Sequence, residues 1–194
     1  MQQERRSRVE RSTSETSVEV DLDLDGHGSY NIETGITFLD HMIASIAKHS
    51  LLDLELKGIS KDGIRHHLIE DVAITLASAL DKALGNREGI ERFGYAIVPM
   101  DDALAIAAVD LVRRAYHVID LRLADGVEDV VKEDIEHFFT SLASNLNACV
   151  HVVVQYGSND HHKVEAACKA LAVALRNAAS INPRRGIAST KGKI

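Results

Sequence analysis

His66-His67-Leu68-Ile69-Glu70 and His161-His162-Lys163-Val164-Glu165 are one pattern written twice, His-His-x-x-Glu, once in each half of a 194-residue chain. The segments that follow also match: Leu76, Ala77, Ala79 and Leu80 correspond to Leu171, Ala172, Ala174 and Leu175 at the same offset. Upstream, His41 and His137 stand at nearly that offset. Leucine and alanine are common in helices, so those matches carry little weight alone. The repeated His, His and Glu make the case for duplication. Each half reads as strands, a helix with one histidine, a strand, and a helix that opens on His-His-x-x-Glu.

Outward from the repeat, Val18 to Asp25 alternates apolar and polar residues, as a half-buried strand does, and Gly26-His27-Gly28 turns the chain. Phe38 to Lys48 reads as a helix and Leu51 to Lys57 as a strand. From His66 to Leu84 apolar residues recur at helical spacing, with Gly85 as the stop. Ala103 to Val112, Tyr116 to Leu121 and Cys149 to Gln155 read as strands, and Ile135 to Ala143 as a helix. The last long helix spans about His161 to Ala179, capped by Asn159 or Asp160. The repeat divides the chain into halves 1–94 and 95–194 of one compact unit. The ends, before about Arg8 and after Ser180, are expected to be looser.

Composition narrows the function. A formal charge of −7 argues against unspecific nucleic-acid binding, and no apolar run is long enough for a membrane. The basic run Arg5-Arg6-Ser7-Arg8 is followed by no apolar stretch, so it is not a secretory signal. Cys149 and Cys168 have neither metal nor redox spacing and read as thiols of a reducing cytoplasm.

Residues four apart share a helix face, so His66 with Glu70, and His161 with Glu165, can each chelate one ion. Adjacent residues point about 100° apart, so His67 and His162 face a different ion from their neighbours. A pseudo-twofold arrangement would place His66, Glu70 and His162 on one ion and His161, Glu165 and His67 on the other, with His41 and His137 completing the shells. Three imidazoles and one carboxylate suit manganese, iron or zinc, and spacing does not choose among them. The order of ligands is neither the His-Glu-x-x-His of zinc proteases nor the Glu-x-x-His of di-iron bundles. His27 reads as a turn residue, and His117 and His151 as packing residues on strands. His49 lies two helical turns beyond His41.

With these features the chain resembles the imidazoleglycerol-phosphate dehydratases over nearly its whole length. The signposts are Arg11-Ser12-Thr13-Ser14-Glu15-Thr16, Phe38-Leu39-Asp40-His41-Met42, His66-His67-x-x-Glu70-Asp71 and Gly89-Ile90-Glu91-Arg92-Phe93-Gly94. They continue with Pro99-Met100-Asp101-Asp102-Ala103-Leu104, Glu136-His137-Phe138-Phe139, Gly157 to Ala166, Lys169-Ala170 and Ser189-Thr190-Lys191-Gly192. The chain departs from the family pattern at Ile64, Leu68, Val112-Arg113-Arg114-Ala115 and Ala188, and keeps every proposed ligand.

The resemblance implies an α+β fold of two repeated half-domains, each a four-stranded mixed sheet with two helices, the helices forming a central four-helix layer. It implies two manganese(II) ions per chain and a cage-like homo-oligomer of 24 subunits that shares its active sites between subunits. The implied ligands are His41, His67, His161 and Glu165 for one ion, and His66, Glu70, His137 and His162 for the other. Arg92, Arg114, Lys169, Ser189, Thr190 and Lys191 would meet the substrate's phosphate end. His41, His49, His66, Glu70 and His161 would line the rest of the substrate site, and Glu15 and Glu165 would be its acid-base groups. The implied reaction removes water from imidazoleglycerol phosphate to give imidazoleacetol phosphate in histidine biosynthesis. Its chemistry would run through an imidazolate held by two ions and a diazafulvene intermediate, whose neighbouring carbon–hydrogen bond is acidic enough for a carboxylate base. The same ligands would also suit a di-metal phosphohydrolase or a non-catalytic metal-storage protein.

Overall fold

In the computed structural model, residues 4–189 are described. The first sheet holds β1 (Arg6–Ser12), β2 (Thr16–Asp23), β3 (Tyr30–Glu33) and β4 (Asp53–Ser60), in the order β1-β2-β4-β3. The second holds β5 (Phe93–Met100), β6 (Ala103–Asp110), β7 (Tyr116–Asp120) and β8 (Cys149–Tyr156), in the order β5-β6-β8-β7. In each sheet three strands pair antiparallel and the last, β3 or β7, runs parallel to its neighbour. The helices are α1 (Thr37–Ser50), α2 (Arg65–Leu84), α3 (Lys132–Asn145) and α4 (Asp160–Ala179). The fold is the expected α+β arrangement of two like halves.

Alternation sets the layers. Val18, Val20 and Leu22 of β2 are buried while Glu19 and Asp21 between them are exposed. In the second sheet Val150, Val152 and Val154 of β8 point inward in the same way. The helices fill the space between the sheets. α2 packs on the first sheet and α4 on the second, while α1 lies against α4 and α2 against α3, so the halves meet helix to helix. A helix covered on several sides needs apolar residues around most of its girth. α4 supplies mainly small ones, with Ala166, Ala167, Ala170, Ala172, Ala174 and Ala178 all buried. Gly94 shows how close the layers come: a Cβ there would sit 2.0 Å from the Ala174 carbonyl oxygen.

All four helices run the same way. Ser50, Leu84, Leu146 and Ala179, at or beside their C-terminal ends, line one cavity of about 350 Å³. Their N-terminal ends, where the histidines lie, therefore share the opposite end of the layer.

Strands β1, β3 and β5 were not evident from alternation. β1 is an edge strand with few buried positions, and β5 reverses the usual pattern, burying Gly94 and Ala96 while exposing Phe93, Tyr95 and Ile97. Part of each end expected to be looser lies outside the described residues. β1 begins at Arg6, before the point suggested. Beyond Ser180 the chain folds back: Ile181 bridges Ile90, Gly89 donates to the Gly186 carbonyl and Arg92 to that of Ala188. Nothing in the hydropathy of this segment announces these backbone contacts.

Arg87 is buried completely. Its guanidinium pairs with Asp81 of α2 and donates to the carbonyls of Leu146 and Asn147, tying the two halves together. Burial lowers its pKa, and the Asp81 carboxylate opposes that. Arg87→Met would leave a carboxylate and two carbonyls without their cation. We expect a loss of about 3–5 kcal/mol, measured by denaturant unfolding of the metal-free protein.

Candidate metal centres

The N-terminal end of the helix layer gathers two clusters, each drawn from both halves. His41 of α1 joins His161 and Glu165 of α4; His66 and Glu70 of α2 join His137 of α3. In each cluster one donor atom per residue lies within 4.8 Å of the others. Glu165 Oε2 is 3.6 Å from His161 Nε2 and 3.9 Å from His41 Nε2. Glu70 Oε1 is 3.5 Å from His137 Nε2, and the rings of His66 and His137 are 4.6 Å apart. The start of α1 is fixed across the halves: Asp129 accepts from the backbone N–H groups of Thr37 and Phe38 at 3.0 and 2.9 Å. An acidic group there satisfies two open donors and suits the positive end of the helix.

His67 and His162 do not enter these clusters. The pseudo-twofold grouping of His162 with His66, and of His67 with His161, is not formed within one chain, because each ring turns about the helix onto a flank where loop carboxylates wait. His67 Nδ1–H donates to Asp62 at 2.7 Å, with Glu15 at 3.7 Å; His162 Nδ1–H donates to Asp102 at 2.6 Å, with Asp101 at 3.4 Å from Nε2. His66 is held likewise, its Nδ1 2.6 Å from Asp134. The hydrogen bond that His67 donates to Asp62, with Glu15 adding, raises the pKa of His67. Asp102 is held well below the usual carboxylate range by the Ser158 hydroxyl, His162 and two backbone N–H groups. These carboxylates are what the sequence reading missed, although Asp101-Asp102 and the loop before His66 were both in view.

Glu15, remote in sequence, arrives through β-sheet geometry. It sits in the β1–β2 turn beside Thr16, whose hydroxyl donates to Asp71 of α2, and its carbonyl accepts from Lys61 N–H at 2.7 Å. Lys169 stands at the first cluster, its Nζ 2.7 Å from Glu165. Partial burial pushes Glu165 up, but Lys169 and the neighbouring histidines hold it below its ordinary value. Partial burial and then Lys169 lower the pKa of His49, which lies near the C-terminal end of α1. Arg92 is engaged: it clasps Asp110 at 2.7 and 3.0 Å and donates to the Ala188 carbonyl at 2.6 Å, beside Ser189. Arg113 and Arg114 are both exposed, and Arg113 donates to the Gly85 carbonyl. Thr190 and Lys191 lie outside the described residues. His27 lies in the β2–β3 loop, and His117 and His151 lie on β7 and β8.

The donor set fits a divalent metal. His137 Nε2 is buried in its cluster without a hydrogen-bond partner among the described residues, an arrangement that costs free energy unless an ion or other group meets the nitrogen. Imidazole and carboxylate donors converge there, and the Nδ1–H bonds of His66, His67 and His162 leave Nε2 as their ligating atom.

Comparison with known proteins agrees. The chain matches the family Imidazoleglycerol-phosphate dehydratase over residues 34–175. It is 49% identical to imidazoleglycerol-phosphate dehydratases of Chloroherpeton thalassium and Methanothermobacter thermautotrophicus, over 192 residues that cover 98% of each chain. Among solved structures, a crystal structure of IGPD from Pyrococcus furiosus in complex with (S)-C348 superposes with a TM-score of 0.83 at 36% identity, covering 96% of this chain and 100% of that one. Imidazoleglycerol-phosphate dehydratase from Staphylococcus aureus gives 0.81 at 28% identity, covering 90% and 98%. With this fold and this pair of histidine-carboxylate clusters, the chain belongs to the imidazoleglycerol-phosphate dehydratase family.

Proposed function

We propose that the protein is a metal-dependent hydro-lyase that dehydrates imidazoleglycerol phosphate to imidazoleacetol phosphate in histidine biosynthesis, with two manganese(II) ions per chain. The observation that carries this is the pair of clusters, His41–His161–Glu165 and His66–Glu70–His137, at one end of one helix layer. His67 and His162 complete them from neighbouring copies, since neither joins either of these two clusters in its own chain and His67 instead groups with Glu15 and Asp62. When bound, the ions would supply Lewis acidity and a template for the substrate's imidazole ring. Glu15 accepts the proton from carbon. Glu165, paired with Lys169, is the second acid-base group. Lys169 and Arg114, with Ser189, Thr190 and Lys191 of the tail, hold the phosphate and orient the carbon chain. Arg92 contributes by anchoring the tail at Ala188, and His49 lines the site near Lys169. No helix among the described residues is long and apolar enough to cross a membrane.

The test is incubation of purified protein with manganese and imidazoleglycerol phosphate. The ketone is the expected product. Release of inorganic phosphate would replace the reading with a phosphohydrolase, and metal uptake without turnover would replace it with storage.

The carboxylates behind the histidines give a second measurement. Asp62→Asn and Asp102→Asn remove an acceptor that fixes the tautomer of His67 or His162. Metal affinity is expected to fall about 10- to 100-fold, read by competition with a chelator. Turnover should recover substantially at saturating manganese. Unchanged affinity would assign these aspartates to loop structure alone.

A further inference from the structure

The repeated helices share their ligands and part company one turn later. Glu165 is followed at i+4 by Lys169, whereas Glu70 is followed at i+4 by Ile74. On a helix that spacing brings side chains together, and Lys169 Nζ donates to Glu165 Oε1 at 2.7 Å, the two side chains 21% and 15% exposed. The other oxygen of Glu165, Oε2, faces His41 and His161. Glu70 pairs with His137 and, among the described residues, with no lysine or arginine. Lys169 is held on few sides. Its second contact is the Met100 sulfur at 3.4 Å, a weak acceptor. Lys163 on the same helix is the opposite case: it is buried, and Asp160 and the Arg122 carbonyl take its Nζ at 2.7 and 2.8 Å. An ammonium carries three donors, so Lys169 keeps capacity for a further acceptor.

We infer that Lys169 changes partner, from Glu165 while the cluster is empty to a phosphate oxygen once a divalent ion occupies it, so that metal and phosphate each strengthen the binding of the other. This exchange rests on the phosphate role proposed for Lys169. Glu165 serves two cations with one negative charge. Its ammonium partner lies on Oε1 and its histidine neighbours on Oε2. With a dication among the histidines, the carboxylate's charge is drawn to that side and its hold on Lys169 weakens. Partial burial keeps this competition from being screened as it would be on an open surface. A phosphate oxygen is then the stronger acceptor for a flexible, three-donor ammonium. The converse follows by linkage: an anion that takes Lys169 leaves Glu165 more negative toward the ion, by the same factor. In the empty protein the Lys169 cation also repels an incoming dication, which Ile74 does not. The cluster of His66, Glu70 and His137 is therefore expected to fill at lower manganese concentration than that of His41, His161 and Glu165.

Manganese and inorganic phosphate are the probes, and binding rather than turnover is read. Manganese titration of chelator-stripped wild type, with the free ion followed by electron paramagnetic resonance, should resolve a tighter and a weaker phase. Lys169→Met should tighten the weaker phase about fivefold or more and leave the other unchanged. Metal-free Glu165→Gln should bind phosphate about fivefold or more tighter than metal-free wild type, because the amide no longer holds the ammonium. Manganese-loaded wild type should gain phosphate affinity in the same direction. These effects are gains of affinity, which a damaged fold does not give. Equal phases in the wild type, a weaker phase that Lys169→Met leaves as it is or weakens further, or metal-free Glu165→Gln that binds phosphate no better would each overturn the exchange alone. A wild type that takes up no manganese, or that binds no phosphate when loaded, removes the metal or phosphate assignment of the proposed function, and the exchange with it.

Discussion

Chains carrying His161→Ala and chains carrying His67→Ala are each expected to be inactive, yet to recover activity when mixed, stripped of metal and reloaded with manganese together. His161 lies in the cluster with His41 and Glu165, while His67 stands apart against Asp62. If one copy brings the cluster and its neighbour brings His67, a mixed assembly contains sites whose two halves are both intact. Random mixing of two symmetric-oligomer subunits gives about a quarter of the sites this composition, so about a quarter of wild-type activity should return. Each variant alone lacks a neutral imidazole at every site of that kind and should lose its metal there, because a lost ligand is lost affinity. The measurement is metal content and ketone formation before and after mixing. Two inactive variants that stay inactive together would place His67 and His161 in the same copy's site.

Glu15→Gln is expected to lower turnover by about 10²–10⁴-fold while metal content and assembly survive. The amide keeps the size and polarity of the side chain and removes proton acceptance. Glu15 lies 3.7 Å from His67, on the β1–β2 turn that Thr16 ties to α2. Glu15 and His67 therefore travel on the same copy, and this links the two experiments. Glu15→Gln should complement His161→Ala in a mixed assembly, since the damage lies in different copies. It should not complement His67→Ala, since both damage the same copy's contribution. Near-normal turnover of metal-loaded Glu15→Gln would return it to a solvated turn carboxylate and leave Glu165 as the base.

The duplicated His-His-x-x-Glu was readable because its geometry is local. A helix places residues four apart on one face whatever surrounds it, so His66 with Glu70 and His161 with Glu165 follow from spacing alone. The caps and alternating strands are local in the same sense, and Asn159 does cap α4 by accepting from His162 N–H. The partners of those pairs are set at long range. That His41 joins α4 and His137 joins α2 depends on each half's first helix packing against the other half's second, which no spacing encodes. The carboxylates behind His67 and His162 come from unlike places, Asp62 from the β4–α2 loop and Asp102 from the β5–β6 turn, so the repeat could not point to them. Arg87 gave no sign of being buried, because an arginine is ordinarily exposed and only the meeting of Asp81 with two carbonyls makes its burial tolerable. The sequence by itself determined which residues could bind metal and how each pair is spaced. The tertiary structure decided which pairs meet and which rings are turned away, because helix packing, and not helix periodicity, sets distances between segments far apart in the chain.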